Sequence, residues 1–512
     1  MVVAVVRTIK YALVMAYGYV RGDREQLFLL PPSMLDWLEE GHLAYFLIDA
    51  VALLDCSAFC EIHLSDGPGR PAYDPEMMLT LLLYAYATGM RSSRAIEAAC
   101  RSDLAFRVIC VNLVPHFTTI ARFRAEHEEA IESIFVEVLK LCHAAGLASL
   151  GQIAIDGTKI GSDAALDRNR DGAWVRAEIA KILGEASEAD AATEAEPGLF
   201  PVVVEEGPLR RRSGRLARLR AALSVIEAQA AARAAEAAER EAHAAQEAAD
   251  GRKVRGRKPK DPEAALARAK ADLAATKVKA ERAPKPEALA DEVAKATQVL
   301  AEAERAAACG PKAKIVANVT DPDSRIMKTK TAWIQGYNVQ VSSNLNQVVV
   351  AYAATQDHND VDQFRPMIEA TTDNAGKAGI AEPIGRVTAD AGYWSEENAA
   401  APGPDRLIAT TKDWKQRKAA RELGETTGPP PMDASPLEQM EHRLRTPEGA
   451  AAYATRSYSV EPVFGDVKEN RGFRRFMRRG LSAANSEAAL IFAAHNLLKV
   501  FHHNPAVVFS AS

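Results

Sequence analysis

The stretch QIAIDGTKI, residues 152–160, decides how this chain reads: a short apolar run closes on Asp156, and Gly157 follows at once. Such a run suits a half-buried strand, and an Asp at its end would put a carboxylate at the edge of a sheet. By itself it is equally an Asp-Gly turn. The pattern recurs in RVTADAGYW (386–394), where Asp390 closes a second run before Ala391 and Gly392. A third acidic signal opens VEPVFGDVKENRGFRR (460–475), where Glu461 stands before Pro462. The residue before proline avoids helical geometry, while proline suits the first helical turn. Glu461 is therefore expected at a helix start, where the positive dipole end helps keep it ionised. Carboxylates from two strand ends and one helix can converge on two Mg²⁺ ions that clamp the attacking and leaving oxygens of a phosphodiester. The three signals point to metal-dependent cutting and joining of DNA.

The bulk numbers permit that reading without suggesting it. A chain of 512 residues with an apolar fraction of 48% can build more than one core. The net charge of -5 hides segregated basic patches. Six Arg fall within 210–220, six basic residues within 252–260, and five Arg within 471–479. Local patches, rather than net charge, make a phosphate-binding surface. The six Cys are scattered, with only Cys56 and Cys60 close together and no His cluster to complete a zinc site, so reduced core thiols are expected. The opening MVVAVVRTIKYALVMAYGYV is apolar but interrupted by Arg7 and Lys10. It reads as a start-site extension ahead of Met15, neither signal peptide nor membrane span, and no membrane partner is expected.

Residues 30–148 read as helical. They include PPSMLDWLEEGHLAYFLIDAVALL capped by Ser33, YDPEMMLTLLLYAYATGM, a helix capped by Ser92 or Ser93, and a long one starting at Thr118 or Thr119. Short helices with tight turns suit a DNA-binding module, with Arg91, Arg94, Arg122 and Arg124 near helix starts. After the strand 152–156, residues 166–308 turn rich in Ala, Glu, Arg and Lys. Their Leu and Ile residues at three- and four-residue steps predict an antiparallel coiled-coil hairpin with 250–262 as its turn. Strands resume at 314–319, 336–342 and 347–353, the last two as a hairpin. A helix is expected at 361–375, strands at 386–390 and 406–410, a Pro- and charge-rich loop at 412–445, and helix from Pro462 onward. The order describes an α/β protein. It has an RNase H-like mixed-sheet catalytic core (149–165 and 312–505), an all-α N-terminal DNA-binding domain (19–148) and a helical coiled-coil insertion (166–311).

Around Glu461 the spacing Tyr453-x₂-Arg456-x₄-Glu461-x₆-Lys468 resembles the YREK signature of DDE transposases of bacterial insertion sequences, with four residues instead of three between Arg and Glu. RGDREQLFLLPPSMLDWLEEGHLAYF, RPAYDPEMMLTLLLYAYATGMRSSRAIE and TTIARFR are similar to the family's N-terminal domain, and TDPDSRIMKTKTAWIQGYNVQVS to the start of its core after the insertion. The resemblance implies that Asp156, Asp390 and Glu461 are both catalytic residues and the ligands of two Mg²⁺ ions, with Mn²⁺ as a substitute. It implies DNA contacts by Tyr453, Arg456, Lys468, Arg471, Arg474 and Arg475, with Trp394 a weaker candidate for base stacking. It further implies double-stranded DNA partners (transposon ends and target), a homodimer in the DNA complex, and a cytoplasmic, nucleoid-associated location. A nuclease that does not join strands and a catalytically inactive DNA-binding descendant are the alternatives. RGRKP (255–259) suggests a minor-groove hook or, equally, a solvated hairpin tip.

Overall fold

The computed structural model describes residues 33–59, 72–195, 206–249, 290–308, 315–412 and 424–503 (432 excepted), with isolated positions at 266, 269, 270, 273, 276, 277, 415 and 422. The start-site extension, the hairpin tip at 250–262, Cys60 and Cys309 lie outside the described residues.

The first part is a helical layer: α1 (Leu43–Ala52), α2 (Pro75–Ala87), α3 (Ser93–Ser102), α4 (Leu104–Ile109), α5 (Phe117–Glu126) and α6 (Glu128–Ala144). The helix expected across 31–54 is broken because Gly41 adopts φ +80°. Ahead of it, among the described residues, a short turn forms at Met34–Asp36. The long helix expected from Thr118 begins at Phe117 behind a His116 cap and divides at His127, whose backbone leaves helical geometry. Asp74 caps α2 by accepting from the Met77 amide at 3.0 Å, with Pro75 in the first turn. Cys56, Cys100, Cys110 and Cys142 are buried free thiols.

A six-stranded mixed sheet follows. Its strands are β1 (Gln152–Gly161), β4 (Arg325–Lys328), β5 (Trp333–Asn344), β6 (Val349–Thr355), β7 (Arg386–Ala389) and β8 (Asp405–Ile408). Between β1 and β4 lie β2 (Asn169–Asp171), α7 (Gly172–Ala195), α8 (Glu206–Ala249), α9 (Ala290–Ala308) and β3 (Val316–Asn318). The two short strands pair with each other, and α7 packs on α8 through Val175 and Ile182 against Leu219, Ala222 and Ile226. In the sheet, β5 and β6 form the expected hairpin, and β5 also pairs antiparallel with β1. On the other side of β1, β7 and then β8 run parallel to it.

β1 differs from expectation in an instructive way. It does not end at Asp156 but continues to Gly161 along β5. The pairing with β7 stops at Ile155 and Ala389. Asp156 and Asp390 are each the next residue, side by side where the parallel ladder ends. Further along, Gly161 is bridged by the segment around Arg475. Between these two points β1 has an edge without a strand neighbour among the described residues, and the candidate site forms there.

Among the described residues further helices are α10 (Phe364–Lys377), α11 (Glu396–Ala400), α12 (Pro436–Arg445), α13 (Pro447–Ala454), α14 (Arg456–Ser459), α15 (Glu461–Gly465) and α16 (Leu481–His503). Part of the region expected as loop is therefore helix, because Ser435 and Glu438 form a reciprocal capping box before Pro436. The helix expected from Pro462 onward is interrupted: α15 passes into a π turn at Asp466–Asn470, and 471–480 are irregular, with Gly472 at φ +70° and Gly480 at φ +96°. The buried α16 packs against α6, α2 and β6, joining the helical layer to the sheet in one continuous core. Among the described residues no helix is long and apolar enough to cross a membrane.

Candidate active site

Asp156 is held from two directions. Its Oδ1 accepts from the Gly157 amide at 2.7 Å, and its Oδ2 pairs with the Arg456 guanidinium at 3.0 Å. Burial pushes its carboxyl up to about 6, Arg456 opposes that rise, and the nearby Asp390 and Asp360 add to it. Desolvation thus outweighs the ion pair, the usual outcome for a charge taken out of water. Asp390 directly follows β7 and caps the turn Ala391–Tyr393, accepting from the Gly392 amide at 2.9 Å.

The arginine and lysine candidates divide into those turned inward and those on the rim. Arg456 is 6% exposed, and it donates to the carbonyls of Ile155 at 2.7 Å and Thr388 at 3.2 Å besides Asp156. It ties β1 to β7 behind the acids, an internal placement rather than the outward one expected of a phosphate ligand. Tyr453 is half-buried, its ring 5.9 Å from that guanidinium. Arg471 is likewise buried, pairing with Asp466 at 2.9 Å and donating to the Ile491 carbonyl at 3.2 Å. Lys468 donates to the Thr158 hydroxyl and, at 2.9 Å, to the Lys159 carbonyl on the open edge of β1. Burial and the neighbouring Arg474 bring its ammonium down to about 8. Arg474 and Arg475 are exposed and pair with Glu469 and Asp163. Within the helical layer, Arg124 is buried on Tyr86 and the Arg91 carbonyl, a packing role instead of the expected phosphate contact. Trp394 packs half-buried against the core.

Glu461 occupies the first turn of α15, as expected, but is exposed and makes no hydrogen bond or ion pair among the described residues. The acidic neighbours of Asp156 are Asp390 and a residue the sequence reading missed, Asp360, just before α10. Asn338 and Gln340 donate to the Asp360 Oδ1 at 2.7 and 2.8 Å, and the Lys159 ammonium lies 3.7 Å from it. A signal was present: Asn338 and Gln340 are polar residues two apart on one face of β5, and both are fully buried. Buried amides on one strand face demand polar partners.

The chemistry of the donor set suits a hard divalent cation, since carboxylate oxygens are its preferred ligands. Two glycines keep space among these acids. A Cβ on Gly157 would stand 2.7 Å from the Asp360 Oδ1, and one on Gly392 would stand 3.0 Å from Asp390 and 3.2 Å from Asp360. The acids do not yet converge on one point: among the described residues, no three His, Cys, Asp or Glu are arranged to hold a metal ion. Arg456 and Lys159 supply the compensating charge.

Two family models match the chain. One, described as Transposase domain (DUF772), covers residues 32–126, and the other, described as Transposase DDE domain, covers residues 415–501. The first falls on the helical layer. The second takes in Glu461, Lys468 and the arginine-rich segment, while Asp156 and Asp390 lie outside both. No curated protein and no solved structure matches the chain.

Proposed function

We propose that this chain, an insertion-sequence transposase of the DDE type, binds the ends of its element as double-stranded DNA. It then cuts a phosphodiester there and joins the freed 3′-OH to target DNA. One observation carries the reading: Asp156 and Asp390, far apart in the chain, lie side by side where the parallel pairing of β1 and β7 ends. The strand order β6-β5-β1-β7-β8, antiparallel on one side of β1 and parallel on the other, supports an RNase H-like core.

Asp156, Asp390 and Glu461 would hold two Mg²⁺ ions, with Mn²⁺ as a substitute, which when bound would activate the attacking oxygen and stabilise the leaving one. Arg456 orients Asp156 and offsets its charge before DNA arrives. Lys468 sits beside the open edge of β1, and a DNA phosphate reaching that edge would meet its ammonium. Arg474 and Arg475 on the rim exchange their carboxylate partners for the DNA backbone, which makes end binding salt-dependent. Tyr453 supports Arg456 from the side. Two ends joined in one reaction call for a homodimer on DNA.

The test is strand transfer with pre-cleaved ends and Mg²⁺ or Mn²⁺. The wild-type protein should join them. Asp390→Asn should lose cutting and joining by at least about 10³-fold while binding end DNA nearly normally. A wild-type protein that cuts DNA but never joins pre-cleaved ends would make it a nuclease, and an Asp390→Asn variant that still cuts would remove Asp390 from the site.

A further inference from the structure

We propose that Asp360 is a fourth acidic member of this site, a carboxylate held by Asn338 and Gln340 that faces a divalent cation together with Asp390. The inference rests on the metal-dependent reading above and extends it to a residue outside the three acids the sequence suggests.

Asp360 uses its two oxygens unequally. Oδ1 takes the Asn338 and Gln340 amides at 2.7 and 2.8 Å and lies 3.7 Å from the Lys159 ammonium. Oδ2 has no donor among the described residues and faces the Asp390–Gly392 turn. The point where Gly392 would carry a Cβ is 3.2 Å from this Oδ2 and 3.0 Å from the Asp390 Oδ1, so those two distances bound the gap between the acids. The Asp360 side chain is 25% exposed, so Oδ2 is open to solvent and to an incoming cation.

A second observation comes from Asn338. Its side chain is fully buried, and its Nδ2 is spent on Asp360, yet its Oδ1 has no partner among the described residues. That oxygen lies 3.3 Å from the Cβ position of Gly157, where the Asp360 Oδ1 is 2.7 Å away. A buried acceptor without a donor is costly unless water or a cation reaches it. The orphaned Asn338 oxygen, the free Asp360 oxygen and Asp390 make an oxygen-rich recess, whose nearest donor, the Gln340 Nε2, 2.6 Å from the Gly157 Cβ position, is spent on the Asp360 Oδ1. The bare glycines 157 and 392 leave it open. Hard oxygens in such a recess suit Mg²⁺ or Mn²⁺ rather than a softer metal.

The experiment measures Mn²⁺ binding to the full-length protein by titration calorimetry, with thermal melting and DNA cleavage in parallel. Asp360→Asn, which keeps the size and removes the charge, should weaken Mn²⁺ binding by about 10- to 100-fold and reduce cleavage while end binding persists. Gly392→Ala, which removes no donor but puts a methyl between the two acids, should do the same and serves if Asp360→Asn fails to fold. Asp390→Asn is the reference. If Asp390→Asn weakens Mn²⁺ binding but Asp360→Asn and Gly392→Ala do not, the role of Asp360 is overturned and the metal reading survives. A fall in melting temperature for Asp360→Asn with unchanged Mn²⁺ affinity overturns it equally. If Asp390→Asn also binds Mn²⁺ like wild type, the metal reading itself fails and takes the inference with it.

Discussion

Replacing Arg456 with Met tests whether this arginine is an internal clamp or a DNA ligand. Its guanidinium serves three acceptors: the Ile155 carbonyl, the Thr388 carbonyl and the Asp156 carboxylate. Methionine fills much of the volume and restores none of these bonds. The charge component has a ceiling. Asp156 already titrates near pH 6, so at pH 7 losing its partner can cost about 1.4 kcal/mol at most before a proton neutralises it. Each carbonyl left buried without a donor costs about 1 to 3 kcal/mol. These sum to about 3 to 7 kcal/mol, and the range for breaking one side of a buried ion pair, about 3 to 5 kcal/mol, sets the expectation in its lower part. For a core of this size that is a drop of roughly 6 to 20 °C in melting temperature. The assay is thermal unfolding of Arg456→Met and wild type at pH 7 and pH 5. At pH 5 Asp156 is largely protonated in both, so the loss should shrink by about 1.4 kcal/mol. Arg456→Lys should recover only part of the loss, since one ammonium cannot serve three acceptors in the guanidinium's planar geometry. A variant that melts within about 1 kcal/mol of wild type yet no longer binds DNA ends would refute the reasoning and return Arg456 to phosphate contact.

Two further predictions concern β1 and its neighbour β5. Asp156 has its carboxyl raised from 3.8 to about 6, mainly by burial, so the native state holds its proton more tightly than the unfolded chain. Its favourable contribution is complete below pH 3.8 and is lost as pH rises through 6, a swing of about 3 kcal/mol. Asp156→Asn should therefore gain stability relative to wild type between pH 4 and pH 7 while losing activity; equal melting differences at both pH values would contradict this. Gly336 faces Gly161 across the β1–β5 pair, and a Cβ there would stand 2.2 Å from the Ile160 carbonyl oxygen. Gly336→Ala should cost at least about 2 kcal/mol in denaturant unfolding, whereas Gly376→Ala, in α10 with nothing within 4 Å of the added Cβ, should be neutral or gain up to about 1 kcal/mol. Comparable losses for the two would show that β1 and β5 can part at no great cost.

Much of this molecule was legible locally. Apolar runs ending in Asp156 and Asp390, Pro462 after Glu461, and the hairpin spacing of β5 and β6 all rest on near-neighbour chemistry, which the order of residues carries directly. Helix breaks were harder to see. Gly41 and His127 divide elements that their apolar spacing joined, because periodicity records which residues are apolar but not where the backbone turns. What only the tertiary structure decided was the direction and company of charged side chains. Arg456, Arg471 and Arg474 lie close together in the chain, yet the first two are buried on carboxylates and carbonyls while the third is exposed. Asp360 is one of two acidic residues in DHND (357–360), and folding set it against Asn338, Gln340 and the Asp390 turn. The reason is desolvation: a charge in the chain is the same chemical group everywhere, but its partners and its cost depend on which distant elements exclude water from it.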